Sequence, residues 1–329
     1  MAKLRPPSAP APRSKPPTRQ GVSPSLMVLP NTPVAHRPAA PALLQQPADL
    51  PVYLLDYLEQ SAHIPQGQTW HERLATGQVF DDAGHALGTD ALYQPALRIY
   101  YYRHIVDEPR VPFDETILYE DAHLLVADKP HFLPVSPTGR YVQETLLVRL
   151  KKRTGLDDLT PIHRLDRDTA GVVLFSKQVA SRNAYAAMFR ARQVRKVYEA
   201  IAAHPADVIF PLTRQSRLVT AIASFMQMQE VPGTPNSTTH ISLLEARGAW
   251  ARYRLQPITG QRHQLRVHML ALGLPLRFDA IYPVLTPEPA PGALDYTQPL
   301  QLLAQSIAFD DPVTGQARQF RSAHCLHLP

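Results

Sequence analysis

The chain has 329 residues, 44% of them hydrophobic, and a formal net charge of +6, and this length accommodates one large domain and a small one. Its single cysteine, Cys325, excludes a disulfide framework and any multi-cysteine metal site, and it agrees with a reducing, cytoplasmic location. The chain has no run of about 18 apolar residues and no apolar signal-peptide core, so we expect neither a membrane span nor a secretory leader.

The N-terminal segment differs in composition from the rest of the chain. Residues 1–50 hold 12 of the 34 prolines and six Lys or Arg residues against one acid. Such a Pro- and Ala-rich segment buries too little apolar surface to offset the entropy of ordering. We therefore predict a disordered basic tail over 1–49, either a solvated linker or an arm that touches a polyanion. The remaining residues carry a net charge of only +1, so any polyanion must be bound there by local basic patches.

Residues 50–108 are predicted to form a small α/β module. Residues 52–58 have helical spacing, and residues 73–79 combine a helix end, a glycine stop and the entry to a strand. Residues 97–102 alternate as a strand does. The Pro-rich stretch 107–112 is typical of a linker.

In the body of the chain, residues 113–329, predicted strands outnumber predicted helices. The strands are 124–127, 172–175, 197–202, 241–246 and 251–255, and the helices are 144–153, 181–192 and 262–272. Several strands follow one another through short turns. This favours an α+β fold, with a mixed, largely antiparallel sheet flanked by helices, over a doubly wound parallel sheet. No glycine-rich phosphate-binding loop occurs in the sequence, so a nucleotide cofactor is not indicated.

A cluster of charged residues precedes the most apolar of these strands. The sequence His-Arg-Leu-Asp-Arg-Asp at 163–168 leads through Thr-Ala-Gly into Val-Val-Leu-Phe at 172–175. A charged loop at the mouth of a rigid strand is a common place for catalysis. Asp166, between Arg164 and Arg167, would be held as a carboxylate, the form that a nucleophile or a base requires. A structural Arg–Asp turn network explains the same spacing equally well.

A second basic segment lies at a predicted helix end. Residues 190–198 contain four Lys or Arg side chains, of which Lys196 stands two positions before Tyr198. These side chains suit contacts with phosphate groups. They suit equally the negative end of a helix dipole, and a lone tyrosine in a strand is usually a core residue.

A third segment, 259–268, places a glycine before a helix whose first turns carry Arg262, His263, Gln264 and Arg266. The two arginines are four positions apart and share one face. The two histidines of the segment are five apart, so the zinc-binding spacing of four is absent and no metal site is predicted. An ordinary cationic helix is the alternative, although arginine near a helix N-terminus is disfavoured unless an anion is held there.

Together the three segments resemble the RluA family of pseudouridine synthases. The family signature His-Arg-Leu-Asp-Arg-x-Thr-Ser-Gly is similar to residues 163–171. The family's Lys-x-Tyr matches 196–198, and its Thr-Gly-Arg-x-His-Gln-Ile-Arg-x-His is similar to 259–268. Order and separation agree, and residues 120–130 look like the opening strand and Lys-Pro turn of the family. The resemblance spans about 113–322.

The resemblance implies an isomerase that flips a specific uridine out of ribosomal RNA or transfer RNA and converts it to pseudouridine, with neither metal nor organic cofactor. Asp166 would be the catalytic aspartate, Tyr198 would lie against the base and help remove a proton from C5, and Arg266 would pair with Asp166. Arg164 would enter the space left by the extruded nucleotide or hold its backbone. The other residues expected to contact RNA are Arg167, Lys196, Arg262, His263 and Gln264. RNA is the expected partner, and the protein is expected to act as a monomer.

The 50–108 module loosely resembles the small RNA-binding domain that is often fused to these enzymes. That domain is usually rich in Lys and Arg, whereas this module is not. A degenerate domain that only packs on the body is the alternative.

The chain also departs from the family pattern. Ala170 replaces a serine, Gln261 replaces the usual arginine, and Arg262 adds a cation one position later. Residues 272–279 read Leu-Gly-Leu-Pro-Leu-Arg-Phe-Asp where the family has Leu-Gly-His-Pro-Ile-x-Gly-Asp, and Leu303 stands where a Leu-His-Ala segment is common. These differences concern the RNA contacts around the site, and so the choice of target.

Two other functions stay open at this point. An RNA-binding protein that has lost catalysis would need a damaged site, whereas Asp166, Tyr198 and Arg266 are all present. A hydrolase using Asp166 and Asp168 as paired carboxylates, in the manner of glycosidases, is disfavoured because basic surroundings suit a polyanion better than a neutral sugar.

Overall fold

A computed structural model describes most of the chain as two compact units, and the boundary between them along the chain is at residues 108 and 109, within the predicted linker. The described residues are 16–31, 52–61, 68–103, 105, 107–205, 207–290 and 293–329. Within these ranges, every helix is too short or too polar to cross a lipid bilayer.

The first unit contains a three-stranded antiparallel sheet, in the order β1–β3–β2, and two helices. Its elements are β1 (Ser25–Val28), α1 (Leu54–Ser61), α2 (Trp70–Ala75), β2 (Val79–Phe80) and β3 (Arg98–Tyr101). α2 begins with a capping box, in which the Thr69 side chain accepts from the Glu72 amide and the Glu72 carboxylate accepts from the Thr69 amide. Trp70 and Ile99 are fully buried in the core between the helices and the sheet.

The predicted tail over 1–49 needs one correction. Residues 1–15 and 32–51 lie outside the described residues, but Ser25–Val28 forms β1, which pairs with β3. Leu29, directly after this strand, is 1% exposed in the core of the unit. The prediction of disorder therefore does not apply to this part of the segment, because the average composition hides a short apolar run within it.

The second unit is built on an eleven-stranded mixed sheet. Its strands are β4 (Thr116–Glu120), β5 (Leu124–Lys129), β6 (Thr160–Pro161), β7 (Ala170–Ser176), β8 (Arg195–Ala203), β9 (Leu212–Thr220), β10 (Met228–Val231), β11 (Ser237–Arg247), β12 (Trp250–Pro257), β13 (Leu302–Asp310) and β14 (Ala317–Arg321). They lie in the order β10–β9–β11–β12–β8–β13–β7–β5–β4, with β14 beside β13 and β6 beside β7. Among the described strands, only the β13–β7 pair is parallel. The predicted α+β class with a largely antiparallel mixed sheet is confirmed.

Three α-helices within the described residues pack on this sheet. They are α3 (Leu146–Thr154), α4 (Arg182–Arg190) and α5 (Gln264–Ala271). α3 covers one face of β5 and β7 through Leu150, and α4 covers the opposite face through Met188. Because both faces are covered, every residue of these two strands is buried. α5 packs on β8 and β12 through Met269.

The parallel pair β7–β13 begins where the charged segment 163–171 ends. Ala170 and Gly171 of β7 lie opposite Leu303 and Ala304 of β13. Gly171 has a φ of 116°, and a Cβ at this position would lie 2.2 Å from the carbonyl oxygen of Ala304. Only glycine permits so close an approach of two backbones. The charged loop is thereby fixed against the middle of the sheet.

Candidate active site

A cavity of about 560 Å³ lies where the charged loop before β7 faces α5. All three segments singled out in the sequence line it, namely residues 163–167, Lys196 with Tyr198, and residues 259–266. Residues 134–138, after β5, form another side. The fold therefore brings together three segments that are far apart in the sequence.

Asp166 lies in the wall of this cavity, with its side chain 30% exposed. Its Oδ2 is 3.4 Å from Nη1 of Arg266, and its Oδ1 is 3.8 Å from Nε2 of His263. No ion pair among the described residues joins Asp166 to Arg164 or Arg167. The arginine in contact with the carboxylate therefore comes from α5, and not from the flanking positions that the sequence suggested.

Arg266 is itself held by Asp279. Nε of Arg266 donates to Oδ2 of Asp279 at 2.8 Å, Nη2 donates to Oδ1, and both side chains are 1% exposed. Asp279 also accepts from the backbone amides of Ile281 and Tyr282. Burial acts in the opposite direction, but the hydrogen bonds and charge of Asp279 raise the pKa of Arg266 above its ordinary value. Arg266 is therefore a fixed, permanent cation whose Nη1 is directed at Asp166.

Asp279 has no role that could be assigned from the sequence. The segment 272–279 departs from the family pattern but keeps its final Asp, which was the available signal, and the partner of Asp279 could be identified only in the fold.

His263 stands at the N-terminal end of α5, with a φ of 52°. Its Nδ1 lies 3.0 Å from the hydroxyl of Tyr282, while its Nε2 faces Asp166. Burial lowers the pKa of His263, against the opposing effect of the Asp166 carboxylate. The residue was predicted to contact RNA, and the structure places it at the carboxylate as well as in the cavity wall. No group of three or more His, Cys, Asp or Glu side chains in the described ranges is arranged to hold a metal ion.

Tyr198 lies on β8 and lines the cavity from the side of the sheet. Burial, and then the charge of Asp166, raise the pKa of Tyr198 above its ordinary value. The side chain is therefore a protonated phenol at neutral pH, with an aromatic ring available for stacking.

Gln264 was also predicted to contact RNA, but its amide is used within the protein. Its Oε1 accepts from the Thr259 hydroxyl at 2.7 Å and from the Gln261 amide at 3.0 Å. Its Nε2 donates to the Thr238 carbonyl and the Thr239 hydroxyl at 3.0 and 2.9 Å. An amide has two acceptor and two donor positions, and all four are occupied. The side chain of Gln264 therefore has no polar atom left for the expected contact with RNA.

Two of the predicted RNA-binding cations differ in whether their charged groups already have partners within the protein. Arg164 is exposed at the cavity, and its guanidinium forms no ion pair with any described residue. Lys196 is partly buried, and its Nζ donates to the carbonyl of Thr259 at 3.2 Å. Arg164 is accordingly the cation that is most available to a ligand in the cavity.

The other two cations are tied to neighbouring segments. Arg262 donates to two backbone carbonyls in the turn between β9 and β10. Arg167 forms ion pairs with Asp168 and Glu288. Asp168 thus has the structural role that the hypothesis of an Arg–Asp turn network predicted, whereas Asp166 is not part of such a network.

The charged loop is also held by Lys129 of β5, a residue with no role assigned from the sequence. Lys129 is fully buried, and its Nζ donates to three backbone carbonyls, including that of Arg167 at 2.8 Å. At the start of the loop, Nε2 of His163 accepts from the Leu174 amide at 3.1 Å. These contacts hold the loop, and with it Asp166, against β5 and β7.

Comparison with known proteins gives consistent similarities. A family model described as RNA pseudouridylate synthase matches residues 123–271. The chain is 32% identical over 217 residues to the dual-specificity RNA pseudouridine synthase RluA of Salmonella typhimurium, covering 62% of this chain and 91% of that protein. It is 31% identical over 225 residues to the ribosomal large subunit pseudouridine synthase D of Pseudomonas aeruginosa, covering 63% and 67%. It is 29% identical over 235 residues to an uncharacterized RNA pseudouridine synthase of Synechocystis, covering 70% and 79%.

A solved structure shows the same fold. Human RNA pseudouridylate synthase domain containing 1 superposes with a TM-score of 0.52 at 23% identity, over 66% of this chain and 86% of that one.

Proposed function

The chain belongs to the RluA family of pseudouridine synthases, and we propose that it isomerises a specific uridine in ribosomal RNA or transfer RNA with Asp166 as its catalytic carboxylate. Membership of this family makes the protein an isomerase. One observation carries the assignment of Asp166. Of the described residues that line the cavity, Asp166 alone has a carboxylate, and a buried arginine is directed at it.

The same observation disfavours a hydrolase with paired carboxylates. Asp168 does not line the cavity, and its carboxylate accepts from Nε of Arg167 at 2.9 Å. A glycosidase mechanism needs two carboxyl groups that flank one bond.

The size and lining of the cavity suit a nucleotide that has left its helix. The target base cannot reach a carboxylate while it is stacked, so it must be flipped out, at a cost of roughly a few kcal/mol. A volume of about 560 Å³ falls in the ordinary range for ligand pockets. The ring of Tyr198 can stack on the extruded uracil, and the free guanidinium of Arg164 can occupy the gap or hold the backbone, which together offset the cost.

The reaction breaks the N1–C1′ bond, turns the uracil, and rejoins it to the ribose through C5. Asp166 can attack C1′, attack the base, or assist loss of the C2′ proton. Each route needs a carboxylate held beside the flipped nucleotide, and Nη1 of Arg266 at 3.4 Å supplies the fixed positive charge that holds it there.

Tyr198 contributes to the last step, in which C5 loses its proton. Because its pKa is raised, the phenol enters the reaction protonated. It can accept the C5 proton only by passing its own proton to a neighbour, and Asp166 is the carboxylate whose charge acts on it. The two residues are therefore proposed to act together in proton removal.

The proposal is tested by mapping pseudouridines in total RNA from cells with and without this protein. We expect at least one uridine of ribosomal RNA or transfer RNA to lose its modification when the protein is absent. If no uridine changes state, the proposed function fails.

The role of Asp166 is tested in vitro with the Asp166→Asn variant on an RNA that the mapping identifies. We expect product formation to be abolished while the Kd for RNA changes by less than about twofold, because the change removes a charge and keeps the shape. Equal loss of RNA binding and product formation would instead make Asp166 a structural residue. Release of free uracil without pseudouridine by the wild-type protein would indicate a hydrolase.

A further inference from the structure

Two guanidinium groups beside the cavity converge on one carboxylate oxygen. Oε1 of Glu288 lies 3.0 Å from Nη2 of Arg140, and it also accepts a hydrogen bond from Nη1 of Arg167. Arg167 lines the cavity next to Asp166, and Arg140 follows the cavity-lining loop that ends at Thr138. An anion is therefore already held between two arginines at the rim of the site.

The two arginines are held in place more firmly than the carboxylate between them. Asp168 fixes Nε of Arg167, and both guanidinium groups lie about 6 Å from the ring of Tyr141. The side chains of Arg140 and Arg167 are 14% and 30% exposed. That of Glu288 is 48% exposed, and it lies on the segment between α5 and β13, whose described residues form neither helix nor strand. The two arginines of this cluster are therefore preformed, and the carboxylate between them is the more exposed partner.

Glu288 also leaves part of Arg140 unused. Nη1 of Arg140 donates to the Pro289 carbonyl at 3.0 Å. Its Nε and Nη2 are buried and have no hydrogen-bond acceptor among the described residues, so the contact of Nη2 with Glu288 is an ion pair only. Buried donors without acceptors are unfavourable. A phosphodiester, whose two non-bridging oxygens share one negative charge, can accept from two guanidinium groups at once.

We propose that Arg140 and Arg167 form a binding site for an RNA backbone phosphate next to the target uridine, and that Glu288 fills this site until RNA displaces it. The proposal rests on the proposed function, because it places RNA in the cavity beside Asp166. The charges of both arginines stay neutralised, because the phosphodiester takes the place of the Glu288 carboxylate. A half-exposed ion pair is weak, so the exchange is easily driven by an RNA whose flipped nucleotide occupies the cavity. RNA that binds without a flipped nucleotide in the cavity gains little binding free energy from displacing Glu288. Glu288 thereby disfavours non-productive complexes.

The test measures binding of a transcribed, unmodified, uridine-rich RNA stem–loop to the whole protein over a range of salt concentrations. Glu288→Gln is expected to tighten binding about three- to tenfold. The slope of log K against log salt is also expected to become steeper by up to about 0.7 to 0.9, the value of one phosphate contact. In the wild type the displaced Glu288 carboxylate takes up a cation, whereas the variant has no carboxylate that could do so. Arg140→Gln is expected to weaken binding and to make the slope shallower. In the Arg140→Gln background, Glu288→Gln should retain less than half of its effect, because the two residues act on one contact.

Glu245→Gln is the matched control. Glu245 is 43% exposed and pairs with Arg247 and Arg252, but it lies at the end of the β11–β12 hairpin opposite to the cavity-lining Pro257. We expect this variant to bind RNA as the wild type does.

Two results would overturn the phosphate site. One is an equal gain in affinity for Glu288→Gln and Glu245→Gln, which would reflect net charge alone. The other is an unchanged affinity of Glu288→Gln for RNA together with a lowered melting temperature. This result would mean that Glu288 only stabilises its own loop. If either is found while the wild type still forms pseudouridine, the proposed function stands without this site. Failure of the wild type to form pseudouridine in any RNA is the separate outcome that removes the function.

Discussion

Asp166 stands between Arg164 and Arg167 in the sequence, yet the cation in contact with its carboxylate is Arg266. Arg266 donates through Nε and Nη2 to Asp279 and through Nη1 to Asp166. Contact with two carboxylates at once depends on the planar, multi-donor guanidinium group, which lysine lacks. The charge around the proposed catalytic residue is therefore set by a side chain one hundred positions away.

The first prediction concerns this double contact and uses the Arg266→Lys variant. A lysine can neutralise Asp279 or reach Asp166, but it cannot hold both in the same geometry. We expect the single-turnover rate of pseudouridine formation to fall about 10²- to 10³-fold, the usual effect of removing one aligned donor. The Kd for RNA should change little, which a fluorescence titration would show.

Arg254→Lys, at an exposed position of β12, controls for the exchange of residue type. A rate for Arg266→Lys equal to that of Arg254→Lys would show that the position of Asp166 does not depend on Arg266.

Individual site residues could be predicted from the sequence to very different extents. Asp166, Tyr198 and Arg266 follow from motifs, and the cavity unites them. Asp279 could not be assigned, because its role depends on contact with a buried arginine thirteen positions earlier. Gln264 was given an RNA contact because it lies within a motif, whereas the fold uses all of its polar atoms for internal hydrogen bonds.

Among the elements, those with strong apolar patterns were predicted well. The continuous apolar runs in β5 and β7 identify buried strands. β9 was missed because polar residues dominate it, and it is paired on both sides mainly through its backbone. β13 was missed because a short, nearly continuous apolar segment does not distinguish a strand from a helix by periodicity. α5 begins at Gln264 rather than at 262, since His263 adopts a left-handed conformation.

The second prediction concerns the junction of β7 and β13 and compares two glycines. Gly155, at the end of α3, has a φ of 70° and open space where a Cβ would stand, so Gly155→Ala should cost about 1 kcal/mol. Gly171→Ala would drive a Cβ into the backbone of Ala304 and should cost about 3 kcal/mol or more. Urea unfolding of the two variants measures the difference. Equal losses of stability would mean that the β7–β13 pairing can shift to accommodate the methyl group.

At the scale of the whole molecule, acid stability is governed in part by buried histidines. Burial lowers the pKa of His131 and His268 to about 4 and that of His163 to about 3. In the unfolded chain these side chains titrate near 6.5. Between pH 6.5 and 4 the unfolded chain therefore binds more protons than the folded protein, so the free energy of unfolding falls as the pH is lowered through this window.

The third prediction isolates one of these residues. His268 is fully buried, and its ring nitrogens lie near the hydroxyls of Ser216, Ser237 and Thr239. A shift of this size corresponds to about 3 kcal/mol of stability lost on acidification to pH 4. His268→Gln keeps polar contacts without the titration, so its unfolding free energy should fall less between pH 6.5 and 4 than that of the wild type.

His204→Gln, at an exposed position, provides the comparison and should retain the wild-type pH profile. A pH profile for His268→Gln identical to that of the wild type would show that His268 does not contribute.

The central position of β13 has a consequence for how the protein is made. β13 lies between β7 and β8, so residues 302–310 join the half of the sheet that carries the Asp166 loop to the half on which α5 packs with Arg266. During synthesis, both halves leave the ribosome before the strand that unites them. A nascent chain that lacks this strand has two open sheet edges and no assembled ion pair between Asp166 and Arg266. We expect such a chain to depend on chaperones and to have no activity on RNA until residues 302–310 have been translated and paired.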